Sequence, residues 1–189
     1  MPNVFKEKAR VLGISESFSL SRDKSFLAGV VMRKDLVLDD VFIEEPKIGG
    51  NDVSEKIVNG FRSLRRTDVS CLMIEGCVLS MYNIVDLEYV YNSVKLPIIC
   101  ITDRKGKDLR ESFVKKGQED KLKLYEKLGP QKELNVLGYK YWVRFVGLDE
   151  FEVKHVIKSF IVSGRKPEPI RVAKIIARAF LKRSLSRNI

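Results

Sequence analysis

Residues 96–102, LPIICIT, form a run too uniformly apolar and β-branched to leave either face in water. Such a run reads as a strand covered on both sides, and strands of that kind belong to parallel sheets layered between helices. The chain must then supply a parallel neighbour and a crossover helix, and both stand immediately upstream. Residues 69–74 make a second apolar run, and a helical segment opens near Asp86 and continues to about residue 94. Strand, helix and strand in that order predict a right-handed crossover that brings two strand C-termini to one edge of a sheet. Ligands bind at such edges, and the run at 69–74 stops there on Glu75 and Gly76. Glu75 is therefore the leading site residue, although a solvated carboxylate at a strand exit has the same pattern.

Upstream, residues 9–14, 25–32 and 37–44 read as three strands, with residues 15–24 as a polar loop. The short connection at 33–36 favours antiparallel neighbours. In PKIGGNDVSEKI, Gly49 and Gly50 end the sheet segment. Asp52 and Glu55 there have the spacing of a capping box, and Ile57, Phe61 and Leu64 carry an apolar helix face to about residue 65. Residues 103–132 are highly charged and predict two helices broken near Gly117. The alternating YKYWVRFV at 139–146 reads as a strand at a sheet edge. A helix over 149–160 follows, and the last helix has Pro169 in its first turn. Arg171, Lys174, Arg178 and Lys182 fall three or four apart and share one face of it. That face is either a solvated basic surface or an anion-contacting one.

Composition narrows the class. With 35 basic and 25 acidic residues the formal net charge is +10, a balance that favours polyanionic partners such as DNA or RNA but that solubility alone would also explain. A length of 189 residues at 44% hydrophobic composition suffices for one core, so a single domain over residues 1–189 is expected. Three cysteines without a CxxC pair, together with one histidine, make a zinc site improbable and suggest buried thiols in a reducing compartment. No apolar leader and no spanning run are visible, so a cytoplasmic protein without membrane contact is expected. Phosphate-loop and dinucleotide fingerprints are absent. The one histidine, His155, follows Phe151 by a helical turn, which suits packing better than catalysis.

Three strands, a helix and then two strand–helix units are the order of a ribonuclease H-like α/β fold, a mixed sheet with three antiparallel strands followed by parallel units. Three stretches carry a more specific likeness: VLGISE at 11–16 with GGNDVSEKI at 49–57, IEGCVLSMYNIVDL at 74–87, and PEPIRVAKIIA at 167–177. Together they resemble an uncharacterised archaeal protein family related to endonuclease V, over almost the whole chain. In that family's pattern the first strand ends in paired aspartates, where this chain has Ser15 and Glu16. The fourth strand ends in aspartate and glycine, here Glu75 and Gly76, followed by a phenylalanine–asparagine pair and an aspartate, here Tyr82, Asn83 and Asp86. The aspartate before the first helix is Asp52.

The resemblance implies an endonuclease dependent on Mg²⁺ or Mn²⁺, acting on DNA or RNA, with deaminated bases as a candidate target. Glu16 and Glu75 would be its metal ligands, and Asp52 or Asp86 an auxiliary carboxylate. The departures weigh against that chemistry. Serine for aspartate removes a charge, and glutamate for aspartate moves a carboxylate by about one bond, against a tolerance of ~0.5 Å in a working site. Neither the tyrosine-containing wedge motif nor the FxE motif of endonuclease V is present. Two readings follow: a nucleic-acid-binding protein that keeps the fold and the basic surface of Arg171, Lys174, Arg178 and Lys182, or a divalent-metal endonuclease. A homo-oligomer is compatible with either.

Overall fold

The two uniformly apolar runs lie side by side at the centre of the sheet in the computed structural model, which describes residues 4–186. The chain begins with strands β1 (Arg10–Ser17), β2 (Phe26–Arg33) and β3 (Leu38–Glu44), helix α1 (Val53–Ser63) and strand β4 (Val69–Glu75). A small hairpin, β5 (Val78–Leu79) and β6 (Asn83–Ile84), leads into α2 (Leu87–Val94) and β7 (Ile98–Thr102). Then come α3 (Arg110–Lys115), α4 (Glu119–Lys127), β8 (Lys132–Val136), β9 (Tyr139–Val146), α5 (Glu150–Ser159) and α6 (Glu168–Ser186).

The seven-stranded sheet has the order β3-β2-β1-β4-β7-β9-β8. β1, β4 and β7 run parallel, and the other pairings are antiparallel. Ile14 stands beside Ile74 in register. This is the ribonuclease H-like arrangement expected from the element order.

Period-two alternation divides each central strand between two cores. Val11, Met73, Ile99 and Ile101 pack with α5 and α6, through residues such as Val153, Ile170 and Ala173. Leu12, Ile14, Leu72, Ile74 and Ile98 pack with α1 and α2, through Ile57, Val58, Leu87 and Val90. Gly13 sets how closely α6 approaches: a Cβ there would lie 2.3 Å from Pro169 Cβ and 2.4 Å from Pro169 C. Phe42 is seated in the same manner between Gly29 and Gly60, where added Cβ atoms would come within 2.0 and 2.4 Å of its ring.

Several local expectations are corrected. β1 continues through Ser17, with Ser15 and Glu16 paired to Ala28 and Leu27 on β2, so the polar stretch does not begin at Ser15. YKYWVRFV is interior, flanked by β7 and β8. The edge strand is KELNV, whose Leu134 and Val136 are buried while Lys132, Glu133 and Asn135 face water, an alternation hidden by the charge around it. Asp52 and Glu55 form no capping box, because the Asp52 side chain makes no cap hydrogen bond. A capping box does form at α5, between Asp149 and Glu152. The break between α3 and α4 falls at Gly117, as expected, with φ +62°. All three cysteines are buried and unbridged. Among the described residues no helix is long and apolar enough to cross a membrane.

Candidate nucleic-acid interface and carboxylate site

The C-terminal ends of β1 and β4 meet beneath α6 and the β5–β6 hairpin. Alternation decides what each polar residue faces there. Gly13 and Ser15 point to the α6 side of β1, as Met73 and Glu75 do on β4, whereas Glu16 points the other way with Ile14. Across the parallel pair, the residue facing Glu75 is thus Ser15, whose hydroxyl donates to Glu75 Oε2. Gly76 ends the strand with φ +81°, a left-handed conformation that a side chain would strain, and its N–H donates to Ile101 O at 3.1 Å.

Glu75 is held by cations from above. The Lys166 ammonium donates to Oε1, and Lys174 Nζ lies 3.4 Å from Oε2. Lys174 Nζ also donates to the Glu16 main-chain carbonyl at 2.6 Å, tying β1, β4 and α6 together. Burial raises the Glu75 pKa, but the hydrogen bonds from Lys166 and Ser15 and the nearby charge of Lys174 outweigh it. The carboxyl is held below its ordinary value of 4.5.

Glu16 does different work. It is 5% exposed. Its Oε1 accepts from the Ser25 hydroxyl and, at 2.7 Å, from Ser80 Oγ, while Oε2 accepts from Ser80 N at 2.7 Å. These bonds anchor a hairpin tip in which Met81 and Tyr82 both have left-handed backbone, at φ 47° and 72°. Each such non-glycine residue costs roughly 1–2 kcal/mol, and persists where neighbouring contacts over-determine it. Glu16 is one of those contacts.

The auxiliary acids do not join the site. Asp52 accepts from Lys47 N at 3.1 Å and from Asn83 Nδ2 at 2.8 Å, while Asn83 Oδ1 takes the Val53 N–H and so caps α1 in place of Asp52. Asp86 caps α2 by accepting from Tyr89 N and pairs with Lys127 at 3.1 Å. Of the basic stripe, Arg171 is paired with Glu168 at 2.6 Å and Lys174 turns into the carboxylate site, leaving Arg178 and Lys182 exposed.

A divalent ion of the magnesium class needs several oxygen donors converging from one side in near-octahedral geometry. At this edge Glu75 faces a hydroxyl instead of a second acid, its two oxygens are engaged by two ammonium groups and Ser15, and Glu16 is turned to the opposite side of the sheet. Among the described residues no group of three or more histidine, cysteine, aspartate or glutamate side chains is placed to hold a metal ion. With Lys166 and Lys174 seated on Glu75, the donor set as it stands does not fit Mg²⁺ or Mn²⁺. Sequence reasoning missed Lys166 and the serines at 25 and 80, and it read Lys174 as part of a basic face, solvated or contacting a nucleic acid, where the structure turns it onto Glu75. The signal for Lys174 is its place two turns into a helix whose opening lies against the end of β1.

Comparison with known proteins agrees with the fold. A UPF0215 protein of Pyrobaculum aerophilum is 37% identical over 178 residues, covering 90% of this chain and 95% of that protein. Its counterpart in Thermococcus kodakarensis is 34% identical over 188 residues, covering 93% and 94%. The crystal structure of an Archaeoglobus fulgidus protein of unknown function superposes with TM-score 0.78 at 26% identity, over 92% of this chain and 99% of that one. Endonuclease V of Ciona intestinalis, crystallised with DNA containing an inosine, superposes with TM-score 0.63 at 13% identity over 94% and 87%, a likeness of fold alone. The family model described as Endonuclease dU matches residues 7–181, and the chain belongs to that family.

Proposed function

We propose that this protein binds nucleic acid through the α6 side of its sheet and does not cleave it by divalent-metal hydrolysis. The observation that carries this reading is the state of Glu75: it faces Ser15 across the parallel pair and is ion-paired with Lys166 and Lys174. Two-metal and one-metal hydrolysis both need carboxylates free to hold the ion. Binding needs only positive surface, and here Arg178 and Lys182 on α6 add to a formal net charge of +10. The DNA carried by the Ciona endonuclease V structure supports a nucleic-acid partner for this fold.

The second reading is a metal-dependent endonuclease acting at deoxyuridine or another deaminated base. The family's description supports it, as does a cavity of about 230 Å³ lined by both Glu16 and Glu75. One experiment separates the two. Labelled single-stranded and duplex DNA and RNA, plain or carrying one deoxyuridine or inosine, are incubated with and without Mg²⁺ or Mn²⁺ and scored for binding and for cleavage. The binding reading expects affinity that falls with salt and no product. Replacing Arg178 and Lys182 by glutamine should then reduce the salt slope by about 2 without unfolding the protein. Metal-dependent cleavage that disappears in Glu75→Gln would establish the nuclease.

A further inference from the structure

We propose that Lys174, assisted by Lys166, is a resident cation of the strand-end site, occupying the place beside Glu75 and the Glu16 carbonyl that a metal ion could otherwise take. The inference deepens the metal-free reading above and makes its own prediction: metal affinity is suppressed by these two side chains and reappears when they are removed.

The geometry is that of a cation cage filled by an ammonium. Lys174 Nζ sits between a main-chain carbonyl, Glu16 O at 2.6 Å, and a carboxylate oxygen, Glu75 Oε2 at 3.4 Å, both donor types that hard cations use. Lys166 takes the other Glu75 oxygen, and the Ser15 hydroxyl donates to Glu75 Oε2. Lys174 is also rigidly delivered. Its helix neighbours Ala173 and Ala177 are fully buried against the sheet, and the opening of α6 is seated on Gly13. The loop carrying Lys166 is fixed by the Tyr141 hydroxyl, which donates to Arg165 O at 2.6 Å. A unit charge ~4 Å from a like charge near a protein surface weakens binding by roughly a thousandfold, and a divalent ion here would meet two ammonium groups. Removing one of them should therefore open the site.

The probe is Mn²⁺ alone, followed by paramagnetic resonance of the free ion and by thermal melting, on the full chain. Wild type should show no saturable Mn²⁺ site at millimolar metal and no shift of Tm. Lys174→Met should melt lower, gain a Mn²⁺ site at least about tenfold tighter than wild type, and regain Tm when Mn²⁺ is added. Lys174→Met/Glu75→Gln should lose that site, and Lys174→Arg should behave as wild type. Lys166→Met, altering a partly exposed loop side chain, provides the same Mn²⁺ readout if Lys174→Met does not fold. A saturable Mn²⁺ site in wild type that is lost in Glu75→Gln overturns the proposal. So does the absence of any gain in whichever lysine variant folds. Salt-dependent nucleic-acid binding, measured in chelator, is read separately, so its failure would sink the functional reading and leave the Mn²⁺ result standing.

Discussion

Replacing Gly13 by alanine tests the packing that brings α6 to the carboxylate site. The new methyl would lie 2.3 Å from Pro169 Cβ, 2.4 Å from Pro169 C and 2.7 Å from Pro169 O. Carbon atoms rest at ~3.5–4.0 Å, so α6 and β1 must part by more than about 1 Å. Two of the three close atoms are backbone, and no rotamer change relieves them. Overpacking of this kind costs ~1–3 kcal/mol or more, and in a chain of this size each 1 kcal/mol lowers Tm by roughly 2–4 °C. The expected loss is about 2–12 °C. The same displacement carries Lys174 away from Glu16 O and Glu75, so the acid limb of stability should also flatten. Differential scanning calorimetry at neutral and acid pH measures both effects. Gly106→Ala is the control: its methyl would meet the end of the Gln131 side chain at 3.1 Å, a partly exposed amide that can give by a few tenths of an ångström while keeping its bond to the residue-106 N–H, and should shift Tm by less than about 2 °C. A Gly13→Ala protein melting with wild type would refute the claim that this glycine sets the helix–sheet distance.

Three further outcomes are expected. Phe42→Ala empties the slot between Gly29 and Gly60 and should cost about 3–5 kcal/mol by urea unfolding; a loss under ~1 kcal/mol would mean that the slot collapses freely. Asn83→Ala removes the acceptor for Val53 N–H and a donor to Asp52, both buried or partly so, and should cost about 1–3 kcal/mol, seen as early exchange of the first amides of α1. Since the folded-state pKa of Glu75 is depressed, its contribution is fully present above the ordinary carboxylate value of 4.5 and is lost as pH falls through the lower folded value. The stability gap between wild type and Glu75→Gln should therefore narrow on acidification below 4.5, and a gap independent of pH would contradict the ion-paired state.

The first five strands of the sheet, three antiparallel and two parallel, were legible because their pairing follows from hydrophobic periodicity. LPIICIT and the run at 69–74 have no polar face to offer water, so they must be central, and the short link at 33–36 leaves β2 and β3 little choice but antiparallel pairing. Edge elements were harder to read. KELNV keeps only Leu134 and Val136 inward, and so weak an alternation is overwritten by the charged segment around it.

The site divides along the same line. The residue pattern placed Glu75 at a strand end, because a strand's end is local information, whereas Glu16 came from the family resemblance, the pattern alone having closed the first strand at residue 14. It could not decide which acids converge, since that depends on register: Ile14 beside Ile74 puts Ser15 opposite Glu75, and period two then turns Glu16 to the other side. Nor could it place Lys166 and Lys174, which approach Glu75 from 91 and 99 positions along the chain through packing of α6 on Gly13. Chain-local pattern determined where the sheet's chemistry would be sought. Only tertiary contact decided that the carboxylate there is neutralised from within, because opposite charges so far apart in sequence meet only once the core between them has closed.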